Sequence, residues 1–329
     1  MSAMESIDTE RAWLVTGAAG FLGSHVIEEL LARGARVIGV DNLGWGNPAH
    51  LKAFAADTRF NLAKIDIREA AAVARVVEEF SPAYVVHLAA LHYIPAAMAD
   101  PTTTVSINVH GTQVMLSAAQ AAGAVRFFFA STGDVYRPAE LPHRESDPIE
   151  PFNIYGVSKL LGEKLVELAS KERPQTHFVV GRLFNLYGPR ETNAHILPEI
   201  IKQLRENPHA SLQLGNLSPR RDLVPVADAA HAVIEMLERS SAGLSVTNVA
   251  SGRDWSMREV IDILSELLGK KIDVMTDSAR LRAVERPYLR ADVARLRTAL
   301  DWTPHSDLKL GLGDLLRSEG LLNTAKGAA

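Results

Sequence analysis

Short apolar runs alternate with longer stretches of helical spacing through most of the chain. Segments 13–16, 36–40, 60–64, 84–88, 125–130 and 177–183 read as strands. Several, such as Tyr84-Val85-Val86-His87-Leu88, are apolar at successive rather than alternate positions, which suits parallel strands covered on both faces. Between them, 21–33, 70–80, 102–122 and 155–171 have helical spacing; in the second, Val73, Val76, Val77 and Phe80 share a face. This rhythm predicts an α/β fold on a doubly wound parallel sheet.

The second half is less regular. Pro189, Pro198, Pro208, Pro219 and Pro225 punctuate short elements. Segments 228–239 and 256–268 read as helices, the latter with Ser256 as N-cap and Glu259 three residues on, and 246–249 is a candidate strand between them. Residues 1–185, regaining about 222–255, are expected to form a dinucleotide-binding domain, and 186–329 mostly a smaller, discontinuous substrate-binding domain. There is no internal repeat, low-complexity block or long linker, and the tail 323–329 is expected to fray.

Composition narrows the setting. With 329 residues the chain can form one large domain or two sharing a seam. A formal net charge of −4, with scattered basic residues, removes the electrostatic case for nucleic acid or anionic membrane as main partner. No apolar run approaches the roughly 20 residues of a membrane helix, and the start MSAMESIDTERAW lacks a basic-then-apolar leader. The absence of cysteine excludes disulfides, thiolate metal sites and cysteine nucleophiles. No His/Asp/Glu group has metal-binding spacing. A cytoplasmic protein without a metal is expected.

The chemistry begins at Gly17-Ala18-Ala19-Gly20-Phe21-Leu22-Gly23, directly after the first strand. Three glycines there allow a tight turn, close backbone approach to a pyrophosphate, and close packing of helix on sheet; the helix N-terminus then offers free N–H groups. Asp41 ends the second strand roughly 20 residues on, where a carboxylate accepts from an adenine ribose and repels a 2′-phosphate, favouring NAD over NADP. An ordinary turn residue before Asn42 is the plainer reading. Asp66 either contacts adenine or caps the following helix. His87-Leu88-Ala89-Ala90 ends a core strand with small residues that would let a cofactor lie across the strand ends. Phe21, Leu22, Asn42, Ile67, Leu88, Ala89 and Ala90 therefore join the candidate cofactor-binding set with Gly17, Gly20, Gly23, Asp41 and Asp66.

Tyr155-Gly156-Val157-Ser158-Lys159 places a phenol and an ammonium at i and i+4 of a helix. The positive charge favours tyrosinate, making Tyr155 a candidate acid/base for a sugar or alcohol hydroxyl. Thr132 lies at the preceding strand end. Together these motifs resemble the extended short-chain dehydrogenase/reductase family, in particular its NAD-dependent nucleotide-sugar epimerases and dehydratases. The similarity runs over about 12–304. It is carried by TGAAGFLG, VDN at Asp41, HLAA at His87, INVHGT at Asn108, STGDVY at Ser131, YGVSK at Tyr155, RLFNLYGP at Arg182, RRDLVPVAD around Arg221, and LDWTP, with Asp301 in place of the family's glycine.

The resemblance implies a Rossmann domain and tightly bound NAD. Thr132, Tyr155 and Lys159 would form the catalytic triad: Tyr155 would take the sugar hydroxyl proton, Thr132 would hydrogen-bond the same oxygen, and Lys159 would also hold the nicotinamide ribose. Asn185 would bind the diphosphate and Arg221 pair with its charge; turn or surface roles are the plainer alternatives. His92 and Leu197 would border the substrate, although His92, like His195, also reads as a surface or capping residue. Residues 285–292 are shorter than the family's Arg-x-Gly-Asp region, so either Arg286 or Arg290 would reach the diphosphate. Helices 102–122 and 155–171 would pair across a homodimer as a four-helix bundle.

The reaction turns on Thr132-Gly133-Asp134. In the family, dTDP-glucose 4,6-dehydratases carry Thr-Asp-Glu there, GDP-mannose dehydratases and glucuronate decarboxylases Thr-Ser-Glu, and 4-epimerases no acid pair. Asp134 then has three readings: a turn-stabilising carboxylate beside a 4-epimerase site, a shortened base that takes a C5 proton, or a positioning group in a uronate decarboxylase. Epimerisation at C4 is the favoured expectation. A dehydrogenase of a non-sugar alcohol releasing NADH is a rival from another class, opposed by the phosphate-type motifs at Asn185 and Arg221. A NAD sensor is another, opposed by the intact Thr132, Tyr155 and Lys159 set.

Overall fold

The computed structural model describes residues 11–191, 193–207, 211–280, 286–300 and 307–323. Asp301 and the rest of the LDWTP motif beyond Leu300, Glu285, Pro208 and the tail beyond Asn323 lie outside the described residues.

Seven parallel strands form the main sheet, in the order Gly243–Val249, His177–Leu183, Arg126–Thr132, Tyr84–His87, Ala12–Thr16, Arg36–Val40, Phe60–Ala63. The first strand in the chain, Ala12–Thr16, is an interior strand of this sheet and is buried throughout, as its unbroken apolar run requires. From it the chain builds outward through Arg36–Val40 to Phe60–Ala63, then returns to add Tyr84–His87 on the other side. Strand order therefore reverses between Ala12–Thr16 and Tyr84–His87, where Thr16 pairs with His87 at the carboxyl ends. A crevice opens at such a reversal, and ligands bind there in doubly wound folds.

Helices cover both faces. On one, Val26, Ile27 and Leu30 of helix Phe21–Ala32 share a core with Val233 and Leu237 of helix Val226–Arg239. On the other, Val73 and Val77 of Ala70–Phe80, Met115 of Gly111–Ala121 and Val166 of Ile154–Glu172 share a second core. A third core joins Ile200 and Leu204 of helix Ile196–Glu206, Ile261 and Leu264 of Met257–Leu268, and Leu312 and Leu316 of Leu308–Ser318. Strand Arg220–Pro225 pairs with Asn185–Tyr187, Asp254–Ser256 and Tyr288–Leu289 in a separate four-stranded sheet.

Three departures from the sequence expectation have physical reasons. The helix expected at 102–122 begins at Pro101, with the Asp100 side chain accepting the Thr103 N–H, and is interrupted by a π turn over Ser106–His110. The candidate strand at 246–249 is longer, Gly243–Val249, because it completes the sheet beside His177–Leu183. Helix Ile196–Glu206 forms although Pro198 looks like a breaker in the sequence, because proline is tolerated in a first helical turn. The expected cap at Ser256 is present: Glu259 N–H donates to Ser256 Oγ at 3.2 Å while Ser256 N–H donates to Glu259 Oε2 at 2.7 Å.

Candidate active site

A cavity of about 970 Å³ runs along the carboxyl ends of the strands into the third core's lobe. Its dinucleotide end is built on the first turn. Gly17 has φ +70° and donates its N–H to Val40 O at 2.9 Å. A Cβ on Gly23 would stand 2.1 Å from Gly17 O, so the helix can sit on the turn only without a side chain there. No side chain caps this helix at Gly20, which leaves first-turn N–H groups beside Phe21 and Leu22 for an anion.

Asp41 is buried and lines the same cavity. Its Oδ2 accepts the Ala19 N–H at 2.9 Å and its Oδ1 the Leu43 N–H at 2.7 Å. Each oxygen keeps a lone pair for a ribose hydroxyl. Asp66 accepts from Arg68 at backbone N, Nε and Nη2, and from Asn42 Nδ2 at 3.0 Å. Arg68 chiefly, with Asn42 contributing, pulls its pKa to about 2. Helix Ala70–Phe80 has Glu69 at its cap position, so Asp66 is not that cap. Asn42, Asp66 and Ile67 line the cavity. Glycine turn, uncapped helix start and in-cavity carboxylate together fit a dinucleotide with free ribose hydroxyls.

His87 shapes the floor. Thr112 donates its proton to Asn108 O at 2.7 Å, so toward His87 Nε2, 3.0 Å away, it accepts. His87 then carries its proton on Nε2, and its Nδ1 accepts from Thr16 Oγ1 at 2.8 Å. Thr16 Oγ1 in turn accepts the N–H groups of Leu88 and Ala89 at 3.1 and 3.0 Å. Burial, then the Lys159 charge, pushes the His87 pKa to about 3, so the ring stays neutral. This chain fixes Leu88, Ala89 and Ala90 along the cavity.

Thr132, Asp134, Tyr155 and Lys159 meet in the middle of the cavity. Thr132 ends strand Arg126–Thr132 and caps a short 3₁₀ turn, Gly133–Val135, its Oγ1 accepting the Asp134 N–H at 3.2 Å. Helix Ile154–Glu172 starts with Asn153 Oδ1 accepting the Gly156 N–H at 2.8 Å. Asn108, inside the π turn, donates to Ser158 Oγ at 2.9 Å and brackets Leu91 through both its carbonyl and its N–H. A π turn spent this way is typical of functional sites. Burial, then the Asp134 charge, raises the Tyr155 pKa above the ordinary phenol value; a hydrogen bond with Thr132 opposes both. Burial lowers Lys159 to about 7 against the pull of Glu163, and its ammonium lies 4.4 Å from the Phe129 ring centroid.

Asp134 faces this group from the turn, and Arg286 lies behind it. Arg286 Nη1 reaches Asp134 Oδ1 at 3.4 Å. Gly133 has little room to be anything larger: a Cβ there would meet the Phe184 ring at 3.1 Å and Leu289 at 3.3 Å.

Of the expected substrate residues, His92, Asn185, Leu197 and Arg221 line the cavity. Asn193 Nδ2 donates to His92 Nε2 at 3.0 Å, tying the loop after strand Tyr84–His87 to the loop before helix Ile196–Glu206. Arg286 and Arg290 do not line it among the described residues. Arg286 is buried beneath the 133–136 turn, and Arg290 Nη1 approaches Asp254 Oδ1 at 3.5 Å. Sequence reasoning missed Trp45, Glu191 and Asn193 on the wall, and Glu163 behind Lys159. Glu163 had a signal, since it stands at i+4 from Lys159 as Lys159 does from Tyr155.

Comparison with known proteins agrees with this geometry. A model of the NAD dependent epimerase/dehydratase family matches residues 13–250. GDP-6-deoxy-D-mannose reductase of Pseudomonas aeruginosa is 33% identical over 243 residues, 71% of this chain and 79% of that protein. UDP-glucose 4-epimerase of Lacticaseibacillus casei is 32% identical over 312 residues, 89% of this chain and 92% of that one. The solved UDP-glucose 4-epimerase of Thermotoga maritima, with UDP-glucose, superposes with a TM-score of 0.85 at 26% identity, covering 93% of this chain and 98% of that one. Glycine turn, Tyr-x-x-x-Lys helix and strand order thus belong to one inheritance: the chain is a member of the NAD-dependent epimerase/dehydratase family.

Proposed function

We propose that the protein is a nucleotide-sugar 4-epimerase that recycles its NAD. The observation that carries this reading is the state of the Thr132-Gly133-Asp134 turn. Asp134 is ion-paired to Arg286, and the Gly133 position is closed by Phe184 and Leu289. A 4,6-dehydratase needs one group to take the C5 proton and another to help expel the C6 hydroxyl, and this turn supplies no such free pair. Bound NAD supplies a hydride acceptor and donor at C4. Tyr155 takes and returns the O4 proton, Thr132 donates a hydrogen bond to the same oxygen, and Lys159 favours the tyrosinate. Inversion requires the 4-ketone to present its other face, and a cavity of about 970 Å³ supports that movement.

Asn185 and Arg221 are assigned to the diphosphate, and His92 and Leu197 to the substrate's surroundings. Residues 1–185 with about 222–255 are assigned to the dinucleotide domain and most of 186–329 to the substrate domain. The protein is further proposed to work in the cytoplasm, in carbohydrate biosynthesis, as a homodimer. A stripe of Val157, Leu161 and Leu168, 37%, 43% and 57% exposed, on helix Ile154–Glu172 supports pairing of helices. Among the described residues, no helix is long and apolar enough to cross a membrane.

The test is turnover of a panel of UDP-, dTDP- and GDP-sugars by protein that retains NAD. A C4 epimer with no net change in NADH supports the reading. Stoichiometric consumption or release of NADH, as in a reductase or dehydrogenase, overturns it.

A further inference from the structure

Arg286, one of the two candidates for the diphosphate, lies instead beneath the turn that carries Thr132 and Asp134. It is 5% exposed. Nη1 donates to Gly133 O at 3.2 Å and to Asp134 Oδ1 at 3.4 Å, and Nη2 donates to Tyr136 O at 3.0 Å and to His143 Nε2 at 3.2 Å. His143 therefore keeps its proton on Nδ1. Burial and then the Arg286 charge push its pKa to about 4, so it brings no second charge. Its ring stacks flat on Tyr136, 4.8 Å between centroids and 3° between planes. From the other side, the helix carrying Tyr155 presses on the turn: a Cβ on Gly156 would stand 2.7 Å from Asp134 O. The turn is held between a guanidinium and the start of that helix.

We propose that Arg286 is a positioning residue for the reaction: it clamps the 133–136 turn by two carbonyls and offsets the Asp134 charge where that charge faces Tyr155. The proposal rests on the reading above that Tyr155 is the acid/base. An uncompensated carboxylate beside a phenol opposes tyrosinate, and a cation paired with that carboxylate in a buried setting cancels much of the opposition. The other groups around Tyr155 are Thr132 from the same turn and Lys159 from its own helix. Glu163 stands behind Lys159, and neutral His87 approaches Lys159 from the adjacent strand. Among the described residues, the Asp134–Arg286 pair is what adjusts the charge from the turn side. The same pairing makes Asp134 a poor base, since a carboxylate held by a cation binds a proton weakly.

The test titrates Tyr155 in the NAD-loaded protein by NMR of Cζ-labelled tyrosine, the resonance identified by its loss in Tyr155→Phe. The pH profile of kcat/KM is recorded beside it. Arg286→Met is expected to move the titration and the rising limb up by about one pH unit, and Asp134→Asn to move them down. The double variant should follow Asp134→Asn, because no carboxylate remains to compensate. Should Arg286→Met fail to fold, Arg286→Gln, which keeps N–H donors for the turn but loses the charge, takes its place with the same upward shift expected. A Tyr155 titration unmoved in the folded Arg286 variant, whatever the loss of activity and whatever Asp134→Asn does, overturns the proposal. If no nucleotide sugar is turned over, the functional reading fails, while the NMR titration still reports on Arg286.

Discussion

Arg182 grips both oxygens of Glu163, Nε to Oε1 at 2.9 Å and Nη2 to Oε2 at 2.8 Å, one helical turn beyond Lys159. Ser131 Oγ also donates to Glu163 Oε1, at 2.5 Å. Arg182 Nη1 donates to Tyr136 Oη at 3.0 Å, and Tyr136 donates to Asn248 Oδ1 at 2.6 Å. A buried polar chain thus runs from the Tyr155–Lys159 helix, beneath the 133–136 turn, to the edge strand. Such networks specify one arrangement when every member is satisfied.

Breaking the pair on one side leaves a buried charge alone. Glu163→Gln is expected to destabilise the fold by about 3–5 kcal/mol, read from urea unfolding. Combining Glu163→Leu with Arg182→Met removes both charges and is expected to recover most of that loss. Equal instability of single and double variants would show that the ion pair is not what Glu163 contributes.

Lys159 stands in the opposite position, required by the proposed chemistry and costly to the fold. Its pKa falls from 10.5 to about 7 in the folded chain through burial, partly opposed by Glu163. The folded state therefore binds fewer protons than the unfolded state between those values, and stability rises with pH across the window. Lys159→Met should abolish turnover yet be more stable than wild type at pH 6, where the buried charge costs most. The advantage should vanish above about pH 10.5, where neither state is charged. Denaturant melts at pH 6 and at high pH check this; a less stable Lys159→Met at pH 6 contradicts it.

The glycine turn makes a sharp contrast within one residue type. Gly23→Ala places a Cβ 2.1 Å from Gly17 O, whereas Gly123→Ala, at φ +70°, meets nothing within 4 Å. Gly23→Ala is expected to lower NAD affinity at least about tenfold by moving the helix start off the turn. Gly123→Ala should leave NAD binding alone and cost about 1 kcal/mol of stability from backbone strain. Calorimetry with NAD on both variants checks the pair.

The exposed stripe on helix Ile154–Glu172 gives the dimer a direct test. Leu161→Glu with Leu168→Glu puts two charges where the proposed partner helix would lie. Light scattering should then read a monomer where wild type reads a dimer. An unchanged dimer would put the interface elsewhere.

Much of this was legible because parallel strands buried on both faces write themselves as continuous apolar runs, and strands 36–40 and 177–183 lie where expected. The cavity could be anticipated from GxxGxxG and Tyr-x-x-x-Lys because both motifs act through local geometry. Arg286 could not. Its hold on the 133–136 turn depends on strand Tyr288–Leu289 joining Arg220–Pro225, a long-range pairing without a periodic signature. Helix Leu308–Ser318 is likewise absent from the sequence expectation, although Asp307 caps it and Leu308, Leu312, Leu315 and Leu316 form its inner face. The Asn108 π turn has no local marker either, since its extra residue is accommodated by contacts to Leu91 and Ser158.

In the proposed reaction the sugar is oxidised and reduced at C4 while Asp134 leaves C5 alone. The most direct measurement is incubation of the NAD-retaining protein with its nucleotide sugar in D2O, followed by NMR of the recovered sugar. The expected product is a C4 epimer with its original hydrogen still at C5. Deuterium at C5, or loss of water or CO2 from the sugar, would contradict this reaction and point to Asp134 as a base at C5.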